Sequence, residues 1–203
     1  MPTLHSSLTG SDLHEVKGAA GATAGHVYRA NGSGSAAFVA PTTLTNIQVS
    51  NTITNSNSSA INPSAVDVPV TAGFDASVSN SDVAINLSGL ITISTAGLYF
   101  LTFNCNIGRS NSTGTAIVAA RLLVNGSQFG FTQSSSLVTN TSSRPAQFNI
   151  LRAFNAGDTL QVQVMRDSAG TNDGGLIPQP ITVASWGDSP SYFVRISKIL
   201  GGA

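Results

Sequence analysis

Alternation of apolar and polar residues with a period of two is the feature that most constrains how this chain folds. Between Tyr99 and Ile107 every odd position is apolar, and the even positions are polar from Thr102 onward. Successive side chains of a β-strand point to opposite faces, so this pattern predicts a strand with one buried face. No segment of ten or more residues has a helical period. The pattern therefore predicts a β-sandwich or a β-barrel.

Further strands are predicted at short intervals along the chain. Asn125-Gly126 is a strong hairpin signal between two of them, and the segment 155–158 is the next turn. In the strand predicted around Phe148 and Ile150, Leu151 and Arg152 interrupt the alternation of apolar and polar residues. The predicted inward or strand-forming residues are Ile85, Leu87, Ile91 and Ile93 around Gly89, then Val118, Ala120, Leu122 and Val124, then Phe129 and Phe131, then Phe148, Ile150 and Phe154, then Leu160, Val162 and Val164, and finally Tyr192 to Leu200.

Charged residues are scarce and balanced. They make up 9% of the 203 residues with a formal net charge of zero, against about 25% in an ordinary soluble domain. A nucleic-acid-binding protein needs clustered Lys and Arg, and this sequence has no such cluster. The chain instead contains 28 Ser, 20 Thr and 16 Asn. We expect these residues to coat the outward faces and the turns, and we expect no nucleic-acid partner.

The compartment is suggested by three further observations. No apolar run is long enough to span a membrane, and the start, MPTLHSSLTGSD, has no secretory signal pattern. The single cysteine, Cys105, excludes an intrachain disulfide. We therefore expect synthesis in a reducing cytoplasm and no membrane partner, although the Ser, Thr and Asn surface is typical of proteins exposed outside cells.

The composition changes near Pro41. Residues 1–40 are rich in Gly and Ala and contain few large apolar residues, so they predict an extended arm that is flexible or ordered only against a partner. Residues 41–60 are interpreted as a neck or a first edge strand. Residues 61–203 carry the period-two segments and are predicted to form the main domain.

The sequence GLYFLTF, within the segment 95–107, resembles the G-x-Y-x-F-type central strand of C1q/TNF-like jelly-roll domains. Downstream, FNILRAFNAGDTLQVQV is similar to the family's hairpin with a Gly-Asp or Gly-Glu turn, and SYFVRISKI lies where the family has its last strand. The resemblance covers roughly residues 61–200. One departure is Phe193-Val194-Arg195, where complement-type members usually have Phe-x-Gly. The resemblance implies an all-β jelly-roll sandwich of the C1q/TNF-like class.

The same resemblance implies association around a threefold axis through apolar and aromatic faces. Leu98 and Phe100 point opposite to Tyr99 and Leu101, so this end of the strand is apolar on both faces. A strand buried on both faces lies either beneath a covering loop or in a subunit interface. We expect a homotrimer with Leu98 and Phe100 in the interface.

The arm carries a second resemblance, to the N-terminal segments of tailed-phage head-fibre, decoration and tail-fibre proteins. In these proteins an H-E-x-K-G stretch leads into a VY-x-ANG-x-G stretch, and both stretches are matched here within the segment 8–35. The alternative is that a Gly/Ala-rich segment of this kind matches many unrelated tails. The resemblance implies attachment to the phage major capsid protein or another virion protein. The attachment candidates are Leu8, Leu13, His14, Glu15, Lys17, Val27 and Tyr28.

The sequence offers little for catalysis or for a cofactor. Cys105 is on the apolar face of its strand, and the three histidines all lie within the arm. General acid–base catalysis needs two acids in one cleft, but the acids after the arm are interpreted mainly as turn residues, including Asp82, Asp158, Asp173 and Asp188. We expect no enzyme activity, no cofactor and no metal. The oxygen-rich loop 167–175 could hold Ca²⁺ through Asp167, Asn172 and Asp173. It lacks EF-hand spacing, and loops of this composition are usually plain turns.

Trp186 is the single tryptophan and is close in sequence to Tyr192. An exposed aromatic ring in a polar loop would suit stacking on a sugar ring, so these two residues are candidates for contact with a host-surface glycan. The alternative is that Trp186 closes the end of the sandwich.

Together the patterns and resemblances predict a non-enzymatic structural protein of a tailed bacteriophage. We expect a trimeric capsid decoration or head-fibre protein, made in the host cytoplasm and located on the virion surface, anchored by its arm with the jelly roll projecting outward. One alternative is the receptor-binding tip of a tail fibre. A second is a soluble glycan-binding module of lectin type.

Overall fold

A computed structural model describes residues 23–24, 26–30, 36–39, 48–109, 114–138, 143–171, 173–183 and 185–200. The chain divides into two compact units, Met1–Ile47 with Gly202–Ala203, and Gln48–Gly201. The described residues form 14 β-strands and no helix. They also include no helix long and apolar enough to cross a membrane.

The first unit contains a short hairpin. Strand β1 (Val27–Ala30) pairs antiparallel with β2 (Ala36–Val39), with Val27 opposite Val39. The sequence predicted only an extended arm here. Within this predicted arm, the VYRA segment is a strand whose backbone groups pair with β2.

The second unit contains two antiparallel sheets. The front sheet has the order β11-β8-β14-β3, with β13 beside β8, and its strands are β3 (Gln48–Asn57), β8 (Gly97–Gly108), β11 (Ser143–Phe154), β13 (Gly175–Leu176) and β14 (Tyr192–Leu200). The back sheet has the order β10-β9-β12-β7-β6-β5, with β4 beside β12. Its strands are β4 (Val70–Thr71), β5 (Val78–Ser79), β6 (Val83–Ile85), β7 (Ile91–Ile93), β9 (Ala116–Val124), β10 (Ser127–Leu137) and β12 (Thr159–Arg166).

The long strands alternate between the sheets as the chain proceeds. The chain passes from β7 in the back sheet to β8 in the front sheet, returns to β9, and later runs from β10 to β11 and back to β12. Strands β9 and β10 form a hairpin within the back sheet. This order, with the last long strand β14 lying between β3 and β8, is that of a jelly-roll sandwich. The predicted all-β jelly-roll class is therefore confirmed.

The core lies between the two sheets and consists of the residues that period-two alternation places inward. All five odd positions from Tyr99 to Ile107 are at most 1% exposed. In the back sheet the buried residues include Val118, Ala120, Leu122, Leu160, Val162 and Val164. Burying one large apolar side chain contributes about 1.5–3 kcal/mol, so this double layer supplies most of the driving force for folding.

The prediction for Leu87 is wrong. Leu87 is exposed, because the chain turns between β6 and β7 instead of continuing as one broken strand. Gly89 adopts a positive φ of 87° in this turn, and the side chain of Asn86 accepts a hydrogen bond from the Leu90 backbone at 2.9 Å. The local turn chemistry of Asn and Gly overrides the apolar pattern here.

Register in β11 is resolved by its pairing with β8. Leu151 lies opposite Phe100 and points outward, whereas Ile150 lies opposite Leu101 and is buried. Arg152 lies on the same side of β11 as Ile150, but near the end of the strand. Its guanidinium is there 5.4 Å from the ring centre of Phe154. A cation on an aromatic face is favourable there, so the alternation continues through the strand.

The segment 48–57, within the predicted neck or edge strand, forms the edge of the front sheet as β3. Its pairing with β14 shifts register near Asn51, which has a positive φ of 48°. A β-bulge of this kind redirects side chains. Here it turns Asn51 toward the loop that precedes β6.

Candidate functional site

The outward face of the front sheet carries an exposed apolar surface. Leu98 and Phe100 are 39% and 45% exposed on β8. The pairing registers place Ile199 beside Leu98 and Leu151 beside Phe100. We define the apolar patch by these residues and their neighbours on the same face: Val49, Leu98, Phe100, Leu151, Ala153 and Ile199.

A shallow groove runs beside the apolar patch. Its volume is about 550 Å³, and it is lined by Val49, Phe100, Thr102, Phe193, Arg195, Ser197 and Ile199. Arg195 is the one charged residue in this lining. Further along the same face the side chains become polar, at Asn104 on β8 and Asn149 on β11. An apolar area bordered by polar residues is typical of an interaction surface.

The sequence placed Leu98 and Phe100 on this face but missed Val49, Leu151 and Phe193. Each of these residues lies on a different strand, and only the pairing registers bring the strands together. The alternation of residues within β8 was enough to place Leu98 and Phe100 on the face opposite to Tyr99 and Leu101. Which strands are neighbours is a long-range property that local alternation does not encode.

A second apolar surface lies at the edge of the sandwich where β10 and β11 end the two sheets. Phe131 is 89% exposed, because the pairing of β10 is irregular between Phe129 and Gln133 and Gly130 has a φ of 72°. The Gln133 side chain accepts a hydrogen bond from the Gln147 backbone at 3.2 Å and donates another to the Gln147 carbonyl. The resulting edge cleft is about 200 Å³ and includes Phe129, Phe131 and Phe148.

The sequence suggested that Asp82 is a turn residue, but in the structure it also forms an ion pair. Its carboxylate is largely buried and lies 2.9 Å from the ammonium group of Lys198. The hydrogen bond from Lys198 is the main cause that lowers the pKa of Asp82, and a second hydrogen bond, from Asn51 at 2.7 Å, acts in the same direction. This cluster joins β14, β3 and the loop before β6. The cluster therefore holds these three segments together.

Asp173 is also an ion-pair residue. It lies 3.1 Å from Nε of Arg109, whose side chain is fully buried at the end of β8. Asp167 accepts a hydrogen bond from the backbone of Ala169 in its own turn, and Asn172 lies outside the described residues. Within the described ranges, no three His, Cys, Asp or Glu side chains group as a metal site. The Asp167 and Asp173 carboxylates thus have separate protein partners.

Cys105 lies in the core between the sheets. Burial raises the pKa of its thiol to about 12, so the thiolate needed for nucleophilic attack is disfavoured at neutral pH. Asp158 and Asp188 do act as turn residues: each accepts a hydrogen bond from a backbone N–H, that of Asn155 and that of Ile181 respectively.

Trp186 and Tyr192 are not brought together on the surface. Trp186 is 72% exposed in the loop between β13 and β14, so it does not close the end of the sandwich. Tyr192 is fully buried and stacks on Phe74 with ring centres 4.8 Å apart. The proposal of Tyr192 as a ligand contact is therefore wrong, because β14 places it on the core side. Trp186 remains accessible.

Most of the predicted attachment residues lie outside the described residues, namely Leu8, Leu13, His14, Glu15 and Lys17. Val27 and Tyr28 belong to β1, where they pair with Val39 and Phe38. Their roles in attachment stay predictions.

No family model matches this sequence, and neither does any curated protein. Among solved structures, the crystal structure of murine APRIL at pH 5.0 is similar, with 10% identity over 72% of this chain and 97% of that chain and a TM-score of 0.44. The crystal structure of rabbit GITRL is similar with 12% identity over 60% of this chain and 80% of that chain, at a TM-score of 0.34. The jelly-roll assignment rests on the strand order described above.

Proposed function

We propose that the protein is a homotrimeric structural component of a tailed-phage virion surface, anchored through its N-terminal arm with the jelly roll projecting outward. The observation that carries the trimer is the exposed apolar patch on the front sheet. The resemblance of residues 8–35 to phage attachment segments supports the virion location. No reaction is proposed, and the partners of Asp82 and Asp173, Lys198 and Arg109, fit a structural use of these acids.

A second copy of the chain is the occupant that the apolar patch favours. The patch lies on a sheet face, whereas the edge cleft with Phe131 lies along the side of the same sandwich. A contact between the face of one copy and the edge of the next is heterologous, and such contacts repeat around a ring when the rotation closes. Both surfaces are apolar and poor in charge, so burying them against each other needs little charge desolvation.

The ends of the second unit are consistent with a projecting domain. Gln48 pairs with Leu200, so the chain enters and leaves at one end of the front sheet. Tyr192 pairs with Asn57 at the other end, and the loop that carries Trp186 immediately precedes Tyr192. Within the second unit, the loop that carries Trp186 therefore lies at the end of the front sheet opposite to Gln48.

The native mass of the full chain tests the trimer. Light scattering coupled to size-exclusion chromatography should give three times the mass of one 20.7 kDa chain. A monomer across the micromolar range would overturn this part of the proposal.

Deletion of residues 1–40 tests the anchor. The shortened chain should remain a folded trimer but no longer bind purified virions, because the proposed attachment residues are removed. The full chain is the positive control. Retained binding by the shortened trimer would contradict an anchor in the arm.

The receptor-binding tip of a tail fibre is the second candidate. Trp186 favours it, because a large exposed aromatic ring is a suitable platform for a sugar ring or a protein surface. Electron microscopy of virions with gold-labelled antibody against residues 48–201 distinguishes the candidates. Label on the head supports the decoration protein, and label at the tail supports the receptor-binding tip.

A further inference from the structure

The outward face of the back sheet contains a recess built around Arg121. The recess has a volume of about 300 Å³ and lies on the sheet that does not carry the apolar patch. Arg121 on β9 lies directly opposite Gln163 on β12. The lining includes Asp67, Pro69, Ala119, Thr132 and Met165.

Gln163 holds the guanidinium of Arg121 in one orientation. Its side-chain oxygen accepts two hydrogen bonds from Arg121, from Nε at 2.9 Å and from Nη2 at 2.7 Å. One side of the guanidinium is therefore used, and the Nη1–Nη2 end has no further partner among the described residues. Two parallel N–H donors at this end match the two oxygens of a carboxylate.

The walls of the recess favour a ligand with a small apolar surface beside its charged group. Ala119, Pro69 and Met165 place small or apolar atoms around the guanidinium. These atoms offer apolar contact surface to the carbon atoms of a ligand whose charged group lies on the guanidinium. The volume lies at the lower limit of small-ligand sites, which start at about 300 Å³.

Two further groups in the lining suit hydroxyl groups of a ligand. The Thr132 hydroxyl accepts a hydrogen bond from the Gln128 side chain at 3.2 Å, so its own proton is available for donation. The Asp67 carboxylate accepts hydrogen bonds from the backbone of Ser168, at 2.9 Å, and from the Ser168 side chain. Its two oxygens have further lone pairs that can accept a hydroxyl proton. Because hydroxyl groups can donate to Asp67 whereas a bare carboxylate offers it no donor, a ligand that combines a carboxylate with hydroxyl groups is favoured over a bare carboxylate.

We propose that this recess binds an acidic sugar of the uronic-acid class, with the sugar carboxylate on the free end of the Arg121 guanidinium and its hydroxyls on Thr132 and Asp67. The inference goes beyond the structural role proposed above. It does not depend on the trimer, because every residue of the recess belongs to one chain and none of them lines the apolar patch or the edge cleft.

Titration of the full chain with D-glucuronate, followed by NMR or calorimetry, tests the site. We expect saturable binding with a Kd of about 1 mM, as is reasonable for one bidentate pair in an open recess. D-Glucose lacks the carboxylate and acetate lacks the ring, so each should bind at least tenfold more weakly. Absence of saturable glucuronate binding, or equally tight binding of glucose or acetate, would overturn the inference.

Variants of Arg121 test whether its guanidinium group binds the sugar carboxylate. Arg121→Gln should reduce glucuronate affinity at least tenfold, and Arg121→Lys should restore little of it, because an ammonium keeps the charge but not the fork. Arg144→Gln, which removes an exposed arginine of β11 that does not line the recess, is the matched control and should bind as the parent does. The circular dichroism spectrum verifies the fold of each variant. Parental affinity in folded Arg121→Gln or Arg121→Lys would contradict the assignment.

Discussion

At the scale of single residues, this chain uses some of its few charges as buried or half-buried pairs. Lys198 is paired with Asp82, and Arg109 with Asp173. Removing one partner of a buried pair leaves an uncompensated charge, which typically costs about 3–5 kcal/mol. The low charge content therefore understates how much the fold depends on individual charged residues.

The pH dependence of stability should report the Asp82 pair. The pKa of Asp82 is lowered on folding below its ordinary value of 3.8, chiefly by the hydrogen bond from Lys198. The stabilisation is therefore present above pH 3.8 and is lost as the pH falls through the lower, folded-state pKa.

In urea denaturation at pH 7, Asp82→Asn should be less stable than the parent by about 1–3 kcal/mol. The loss is smaller than for a fully buried pair, because the Lys198 side chain is 14% exposed and its ammonium group can still contact water. The difference should shrink as the pH falls below 3.8 and through the lower, folded-state pKa of Asp82, where the folded parent becomes protonated. A difference that stays constant or grows on acidification would contradict this role of Asp82.

Removing the hydroxyl group from each of two buried tyrosines compares a hydrogen-bonded hydroxyl with one that has no partner among the described residues. The Tyr99 hydroxyl donates a hydrogen bond to the Thr95 carbonyl at 2.6 Å, whereas the Tyr192 hydroxyl is buried with no hydrogen-bond partner among the described residues. Tyr99→Phe should lower the free energy of unfolding by about 1 kcal/mol, and Tyr192→Phe should leave it unchanged or raise it. Urea denaturation measures both. A larger loss for Tyr192→Phe than for Tyr99→Phe would contradict the assignment.

At the scale of elements, short turns with special backbone angles set the register of long strands. Asn125 and Gly126 have φ values of 50° and 76°, and they join β9 to β10 with Ser127 opposite Val124. Positive φ at both central residues is the requirement of a type I′ hairpin turn. The bulge at Asn51 has a comparable effect on β3, because it turns a polar side chain toward Asp82.

Gly126→Ala tests the hairpin turn. A Cβ at Gly126 would meet nothing within 4 Å, so the expected loss of about 1 kcal/mol comes from the positive φ alone. Gly187→Ala is the matched control, since Gly187 also has open space around it but no positive φ. Thermal unfolding should show a lower Tm for Gly126→Ala and an almost unchanged Tm for Gly187→Ala. Equal effects would exclude a backbone origin.

At the scale of the whole molecule, the two sheets present different outer surfaces. The front sheet carries the apolar patch, and the back sheet carries the recess around Arg121. The edge cleft proposed as the other half of the trimer contact shares no lining residue with this recess. The proposed trimer and the proposed sugar site are therefore compatible on one sandwich.

Phe100→Asp tests the role of the apolar patch. A carboxylate in the centre of the patch would have to be desolvated in the interface, so the variant should be monomeric by light scattering at concentrations where the parent is trimeric. Leu87→Asp is the control, because Leu87 is an exposed leucine on the β6–β7 turn, outside the patch. A trimeric Phe100→Asp would exclude the patch as the subunit interface.

Much of the second unit could be predicted from local pattern. The inward residues of β8, β9 and β12 follow from alternation, and the turn at Asn125-Gly126 follows from its residues, because these properties depend on neighbours in sequence. Leu87 and Tyr192 could not be placed in this way. The first depends on a turn that competes with a strand, and the second depends on which face of β14 meets the core.

The amino-acid sequence alone establishes the all-β class and the apolar faces of the main strands, because alternate residues of a strand point to opposite faces. The tertiary structure decides which of those strands are neighbours. That choice joins Val49, Leu151 and Ile199 to Leu98 and Phe100, pairs Asp82 with Lys198, and places Gln163 against Arg121. All of these contacts cross between strands that are distant in sequence, so only the packing of the sheets could bring them together.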